Sequence, residues 1–213
     1  MSKKAAFTLI ELLVVISIIL IASSIIFIGG TGGDGAKLSS AQRIVSGIAQ
    51  GARGQAILKN ANTRLIIYSD SASNLDDEKK LRYFGIIYEA TDTPAGDDWL
   101  AATQGTYLPE GIYFNKDLSK DWAESKLNLN YPRQSPQAKG SGDEYYYYEF
   151  NNNGTMASGF DNDWLALQAG TLKPDSGGNL AVDFSDQENV GLKAALIFRR
   201  NGTTTPVTDP SDI

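Results

Sequence analysis

Residues Phe7 to Ile28 form an apolar run of 22 residues broken by one charge, Glu11, and by the small polar residues Thr8, Ser17, Ser23 and Ser24. As a helix rising ~1.5 Å per residue the run reaches about 33 Å, enough to cross a hydrocarbon core of about 30 Å. A cleaved secretory signal has an apolar region of only about 7–15 residues, so the run predicts a membrane span over 7–28 even though Ala22-Ser23-Ser24 imitates a cleavage site. Lys3 and Lys4 precede it with no acid nearby. That asymmetry places the N-terminus in the cytoplasm and everything after Gly29 on the far side of the membrane. Residues 29–213 hold 17 basic and 24 acidic groups, a net charge of −7 for the exported part.

Glu11 is the anomaly in the span. An ionised carboxylate costs about 2.5–3.5 kcal/mol at the centre of a bilayer and less near its edge, so a cationic partner is expected. A cut before Phe7 would create an α-amino group one helical turn away, at the i to i+4 separation. Packed side by side, the Glu11 of one subunit could instead neutralise the terminus of its neighbour. Lateral assembly then removes two poorly solvated charges at once.

The run Ala6-Phe7-Thr8-Leu9-Ile10-Glu11-Leu12-Leu13-Val14-Val15-Ile16-Ser17-Ile18-Ile19 resembles the N-terminal signal of the type IV pilin and pseudopilin family. The resemblance implies a prepilin peptidase site between Ala6 and Phe7, N-methylation of Phe7 as the mature terminus, and Glu11 as the carboxylate used in assembly. Two features depart from the family: Ala6 stands where glycine is usual before the cut, and Ile28 stands where a proline is often found.

Histidine and cysteine are both absent, which excludes a Ser-His-Asp triad, a thiol nucleophile, a Cys/His zinc site and any disulfide. No catalytic constellation is left, so the chain reads as a non-enzymatic protein with no cofactor. Gly30-Thr31-Gly32-Gly33-Asp34-Gly35 spells a dinucleotide fingerprint, but the strand before it is missing and no acid stands about 20 residues on. Gly30 to Lys37 also fails as a phosphate loop, because Ala36 intervenes before the lysine. With five glycines in seven residues, residues 29–36 read as a flexible break, each glycine costing about 1 kcal/mol in a helix interior.

Helical periodicity resumes over 37–60. At about 100° per residue Leu38, Ala41, Ile44, Val45, Ile48, Ala49, Ala52 and Ala56 share one face, which predicts an amphipathic helix against a sheet. Gly47 and Gly51 stand four apart off that stripe, where small residues let another helix approach. Short β-rich runs follow over 63–69, 81–89, 106–114, 144–150, 164–168 and 193–199, separated by Gly, Pro, Asn and Asp. The layer rule then gives an α+β domain in which one antiparallel sheet wraps the helix stripe. Residues 117–143 read as an irregular surface insertion and 201–213 as a loose tail. Ala52-Arg53-Gly54-Gln55-Ala56-Ile57, Thr63-Arg64-Leu65-Ile66-Ile67-Tyr68, Leu108-Pro109-Glu110-Gly111-Ile112-Tyr113-Phe114 and Tyr148-Glu149-Phe150-Asn151-Asn152-Asn153-Gly154 resemble landmarks of the GspH/FimT group of minor pseudopilins of type II secretion systems.

Two further segments carry site-like patterns. Tyr145 to Tyr148 put two tyrosines on each sheet face and could stack on bases or sugars. The negative exported domain would repel phosphates, so no nucleic acid is expected. Asp161-Asn162-Asp163 resembles half a calcium loop but lacks the sixth-position glycine and closing glutamate of an EF-hand, and reads as a solvated turn.

The sequence thus predicts a pilin-like α+β subunit: leader 1–6, membrane helix 7–28, glycine-rich break 29–36, globular domain 37–200 and tail 201–213. Its expected partners are the membrane, prepilin peptidase and other pilin or pseudopilin subunits of a pilus or pseudopilus. The expected location is the bacterial inner membrane, with the domain in the periplasm or outside. The alternative is an anchored carbohydrate- or protein-binding module that stays monomeric and uses the tyrosine-rich sheet.

Overall fold

The computed structural model describes residues 15–16, 33–71, 76–90, 98–120, 125–133, 142–186 and 190–208. Helix α1 spans Gly33–Lys59. Its termini carry charges that suit the helix dipole, with Asp34 in the first turn and Lys59 in the last. Lys37 reaches back to Asp34 at 2.8 Å. Asn60, at φ 49°, ends the helix in the left-handed conformation, a role asparagine fills because its short side chain tolerates that region. The helix begins earlier than the glycine content predicts. Half of the expected break, Gly33 to Ala36, is helical, because the Asp34–Lys37 pair and the core contact of Leu38 offset the weak propensity of the glycines.

Twelve strands follow within the described residues: β1 Thr63–Tyr68, β2 Tyr83–Ala90, β3 Asp98–Ala101, β4 Thr106–Tyr107, β5 Ile112–Asn115, β6 Lys126–Leu129, β7 Asp143–Phe150, β8 Trp164–Ala169, β9 Thr171–Pro174, β10 Leu180–Asp183, β11 Lys193–Phe198 and β12 Thr204–Val207. They form a first sheet in the order β3-β2-β1-β7-β6, with β4 also on β2, a second sheet in the order β12-β11-β8-β5, and a β9-β10 hairpin. Every pairing is antiparallel. The single wrapping sheet of the sequence reading is therefore two sheets sharing one helix. The border strands β3, β6, β5 and β12 have four residues each, and β12 carries Pro206, which sheets tolerate at their edges.

The core follows from side-chain period. Leu38, Ala41, Val45, Ala49, Ala52 and Ala56 are the buried face of α1, and their mostly small side chains let both sheets come close. Against them lie Leu65 and Ile67 of β1, Phe84 and Ile86 of β2, Tyr146, Tyr148 and Phe150 of β7, and Leu165, Leu167, Leu196 and Phe198 of the second sheet. Each large apolar side chain buried this way contributes roughly 1.5–3 kcal/mol. The alternate residues of the first sheet face outward into a second cluster: Ile66, Tyr68, Tyr83, Ile87 and Tyr145, covered by Ala101, Leu129 and Tyr131.

Several boundaries differ from the sequence reading. The run 106–114 is two strands, since Gly111 at φ 82° turns the chain between β4 and β5. The expected insertion 117–143 contains β6, paired with β7. The expected loose tail contains β12, paired with β11 from Ala195↔Val207 to Phe198↔Thr204.

Candidate functional site

The residues singled out for processing and assembly, Ala6, Phe7 and Glu11, lie outside the described residues. Of the apolar run, Val15 and Ile16 are described, and both are helical. Among the described residues no helix is long and apolar enough to cross a membrane. What the structure does place is the element that follows the run, α1, together with the surface around it.

One flank of α1 is fastened to the second sheet by polar side chains. Gln42 Nε2 donates to the carbonyls of Ala195 at 2.8 Å and Val207 at 3.0 Å. Ser46 and Thr204 share a hydroxyl hydrogen bond of 2.8 Å. Farther along, Arg53 Nε donates to the Gly154 carbonyl at 3.2 Å. These contacts fix the roll of the helix and turn Ser39, Arg43 and Gly47 outward to solvent. A groove of about 500 Å³ runs beside them, closed on one side by Pro206. Gly47 has nothing within 4 Å of where a Cβ would stand, whereas Gly51 meets Ile86 there at 3.4 Å. The packing of the domain therefore makes no demand for glycine at 47. On either side of Arg43 the outward residues Ser39 and Gly47 are small, the form that lets a second helix lie close.

The tyrosine run is not an open platform. Tyr145, Tyr146 and Tyr148 are buried, and Tyr147 is half-buried. The faces alternate as the sequence predicts, but Tyr131 and same-face side chains of the flanking strands β3 and β6 close around the outer one. Tyr146 donates to Asp70 at 2.8 Å and Tyr148 to the Trp164 carbonyl at 3.1 Å. Burial pushes the hydroxyls of Tyr68 and Tyr83 up to about 12, and drives Tyr145 further in the same direction. Burial alone would raise the Asp70 carboxyl as well, but hydrogen bonds from Lys116 and Tyr146 hold it below its ordinary range. Glu144 behaves likewise, with Ser71, Ser69 and Lys126 outweighing its burial.

An element missed by sequence reasoning lies on the same outer face. Arg64 bonds Glu149 at 2.7 Å, and its guanidinium stands 3.9 Å from the ring centroids of both Trp99 and Tyr147. The pairing Arg64↔Glu149 follows from the β1–β7 register. Opposite charges at paired positions were a usable signal, legible only once those two strands are known to be neighbours.

Asp161 to Asp163 form a tight turn, with Asn162 at φ 62°. Asp163 is buried and pairs with Lys120 at 3.2 Å. Asn162 N donates to the Phe198 carbonyl at 2.7 Å, and Phe198 N to that of Asp163 at 2.8 Å. The turn anchors β11. Among the described residues no group of three His, Cys, Asp or Glu side chains is placed to hold a metal ion.

Residues 1–27 match the family model for the prokaryotic N-terminal methylation motif. No curated protein matches the chain. Among solved structures the chain is similar to the type IV minor pilin FimU of Pseudomonas aeruginosa, at 12% identity over 84% of this chain and 93% of that one, with a TM-score of 0.42. It is also similar to the minor pseudopilin EpsH from the Type 2 Secretion System of Vibrio cholerae, at 12% identity over 81% of this chain and 97% of that one, with a TM-score of 0.40.

Proposed function

We propose that the chain is a pilin-like structural subunit of a type IV pilus or a type II secretion pseudopilus. The match of residues 1–27 to the N-terminal methylation motif carries this reading. In it, residues 1–6 are a leader removed by prepilin peptidase between Ala6 and Phe7, Phe7 is N-methylated, and residues 7–28 anchor the chain in the inner membrane. Glu11 pairs with the new terminus of a neighbouring subunit. The domain stands outside the cytoplasm on α1, whose small outward face is free to lie against neighbouring rods. The work is mechanical, done by polymerisation of helices drawn from the bilayer, and it calls for no catalytic residue.

Two measurements test this. Mass spectrometry of the protein purified from its own cells is expected to show a chain beginning at Phe7 with one added methyl group; a chain still beginning at Met1 overturns the processing. Glu11→Val should leave membrane insertion intact while abolishing incorporation into filaments, as read by pelleting of sheared filaments. Normal incorporation of that variant would remove Glu11 from assembly.

A further inference from the structure

A cleft of about 590 Å³ opens between three turns of the domain. Glu78 and Arg82 line it from the turn before β2, Glu110 and Tyr113 from the β4–β5 turn and the strand after it, and Gly170 and Thr171 from the β8–β9 junction. Two buried polar atoms of this lining have no hydrogen-bond partner: Nε of Arg82 and Oγ1 of Thr171. The rest of the Arg82 fork is held in place. One terminal nitrogen donates to the Leu108 carbonyl at 3.2 Å, and the guanidinium lies 5.8 Å from the ring centroid of Tyr113. Buried donors are normally satisfied, so an orphaned guanidinium N–H and an orphaned hydroxyl on residues lining one cleft call for an acceptor arriving from outside. Glu78 and Glu110 stand exposed on the rim, and among the described residues neither enters an ion pair within 4 Å. The cleft therefore offers a cationic donor in its wall and two carboxylates at its mouth, the complement of a zwitterion.

Its position follows from register. Gln42, in the first half of α1, bonds the Ala195 carbonyl. Ala195 pairs with Ala166 and Lys193 with Gln168, and beyond them Ala169 pairs with Ile112. Gly111 and Gly170 thus lie toward the start of α1. Consistent with that, Glu110 is near enough to Lys37 to add to the rise of its ammonium above the ordinary range, after the larger effect of Asp34. Five residue steps separate Ile28 from Gly33, so the start of α1 stands at most about 18 Å from the end of the expected span.

We propose that this cleft takes a phosphoethanolamine zwitterion presented by phosphatidylethanolamine of the anchoring membrane. The phosphate oxygens accept from Arg82 Nε and Thr171 Oγ1, and the ammonium sits between Glu78 and Glu110. The lipid source rests on the membrane-anchored reading above; the zwitterion chemistry does not.

The test uses the full chain in detergent micelles, with short-chain phosphatidylethanolamine, phosphatidylcholine and phosphatidylglycerol compared by native mass spectrometry. Soluble O-phosphoethanolamine is titrated in parallel by calorimetry. Phosphatidylethanolamine is expected to be retained at least tenfold better than the other two. That preference should be lost in Arg82→Gln and, independently, in Thr171→Val, each shown to be folded by near-UV circular dichroism. The exposed pair Glu78→Gln with Glu110→Gln should abolish discrimination against the trimethylated headgroup while sparing the fold. Equal retention of all three lipids, or variants that bind as the parent does, overturns the site. Binding of O-phosphoethanolamine through Arg82 by a chain that carbonate extracts from membranes would sink the anchored reading and the lipid source, yet leave the zwitterion site standing.

Discussion

Gly202 sits in the turn between β11 and β12 at φ 77°, and a Cβ there would run into the Gly154 carbonyl oxygen. That same oxygen accepts from Arg53 of α1, so a single backbone atom joins the helix, the loop after β7 and the last hairpin. No side chain larger than hydrogen can occupy position 202 without moving all three. Gly202→Ala is expected to cost about 2–4 kcal/mol, from backbone strain plus overpacking, measured as a fall in the denaturation midpoint of the purified chain. Little or no change in that midpoint would show that the three elements are not held together there. Arg64 illustrates the opposite economy. Its charge is answered by Glu149 and its two flat faces by Trp99 and Tyr147, so one guanidinium closes the outer face of the first sheet.

At the scale of elements, α1 was the most legible feature. Its buried positions 38, 41, 45, 49, 52 and 56 recur every three or four residues, a spacing that only a helix with one covered face produces. Strands β1, β2, β7, β8 and β11 were legible because their residues are β-branched, aromatic or aliphatic and mostly buried. Strands β3, β6, β9, β10 and β12 were not. Each is only four residues long, too short for a period to show, and each is held by its hydrogen bonds to another strand; β12 even contains a proline. For the same reason the tether from Gln42 and the orphaned Arg82 could not be read from the sequence, since each depends on which turns the fold brings together. The outward glycines of α1 lead to a prediction at this scale. Gly47 meets nothing inside the domain, so Gly47→Ala should stabilise the isolated subunit by about 0.5–1 kcal/mol. The same variant should weaken filament incorporation if that face lies against a neighbouring rod. A subunit left no more stable would mean that the helix at 47 is held by something beyond its own backbone.

For the whole molecule, stability should be confined between two titrating sets. The ordinary hydroxyl of tyrosine ionises near pH 10, whereas Tyr68 and Tyr83 keep their protons up to about 12 in the fold. The native state thus holds protons that the unfolded chain sheds, so this contribution is full below pH 10 and is lost as pH climbs from about 10 to about 12. At the other limit the depressed carboxyls of Asp70 and Glu144 contribute fully above the ordinary carboxylate range of about 4, and that contribution is lost as pH falls from there through their depressed values. Denaturation midpoints followed against pH should show a plateau between about 5 and 10 with a fall on either side. Tyrosinate absorbance of the buried class should appear together with unfolding. If all ten tyrosines titrate near pH 10 in a chain that is still folded, the second cluster is not sealed as described.

The short borders of the two sheets also bear on the side-by-side assembly proposed above. A rim only four residues long, interrupted at one place by an imino acid, gives a foreign strand too little to grip for open-ended stacking. Crowding at high local density can then proceed through rods while the β layers of adjacent copies stay separate, which keeps ordered polymerisation apart from amyloid-like clumping.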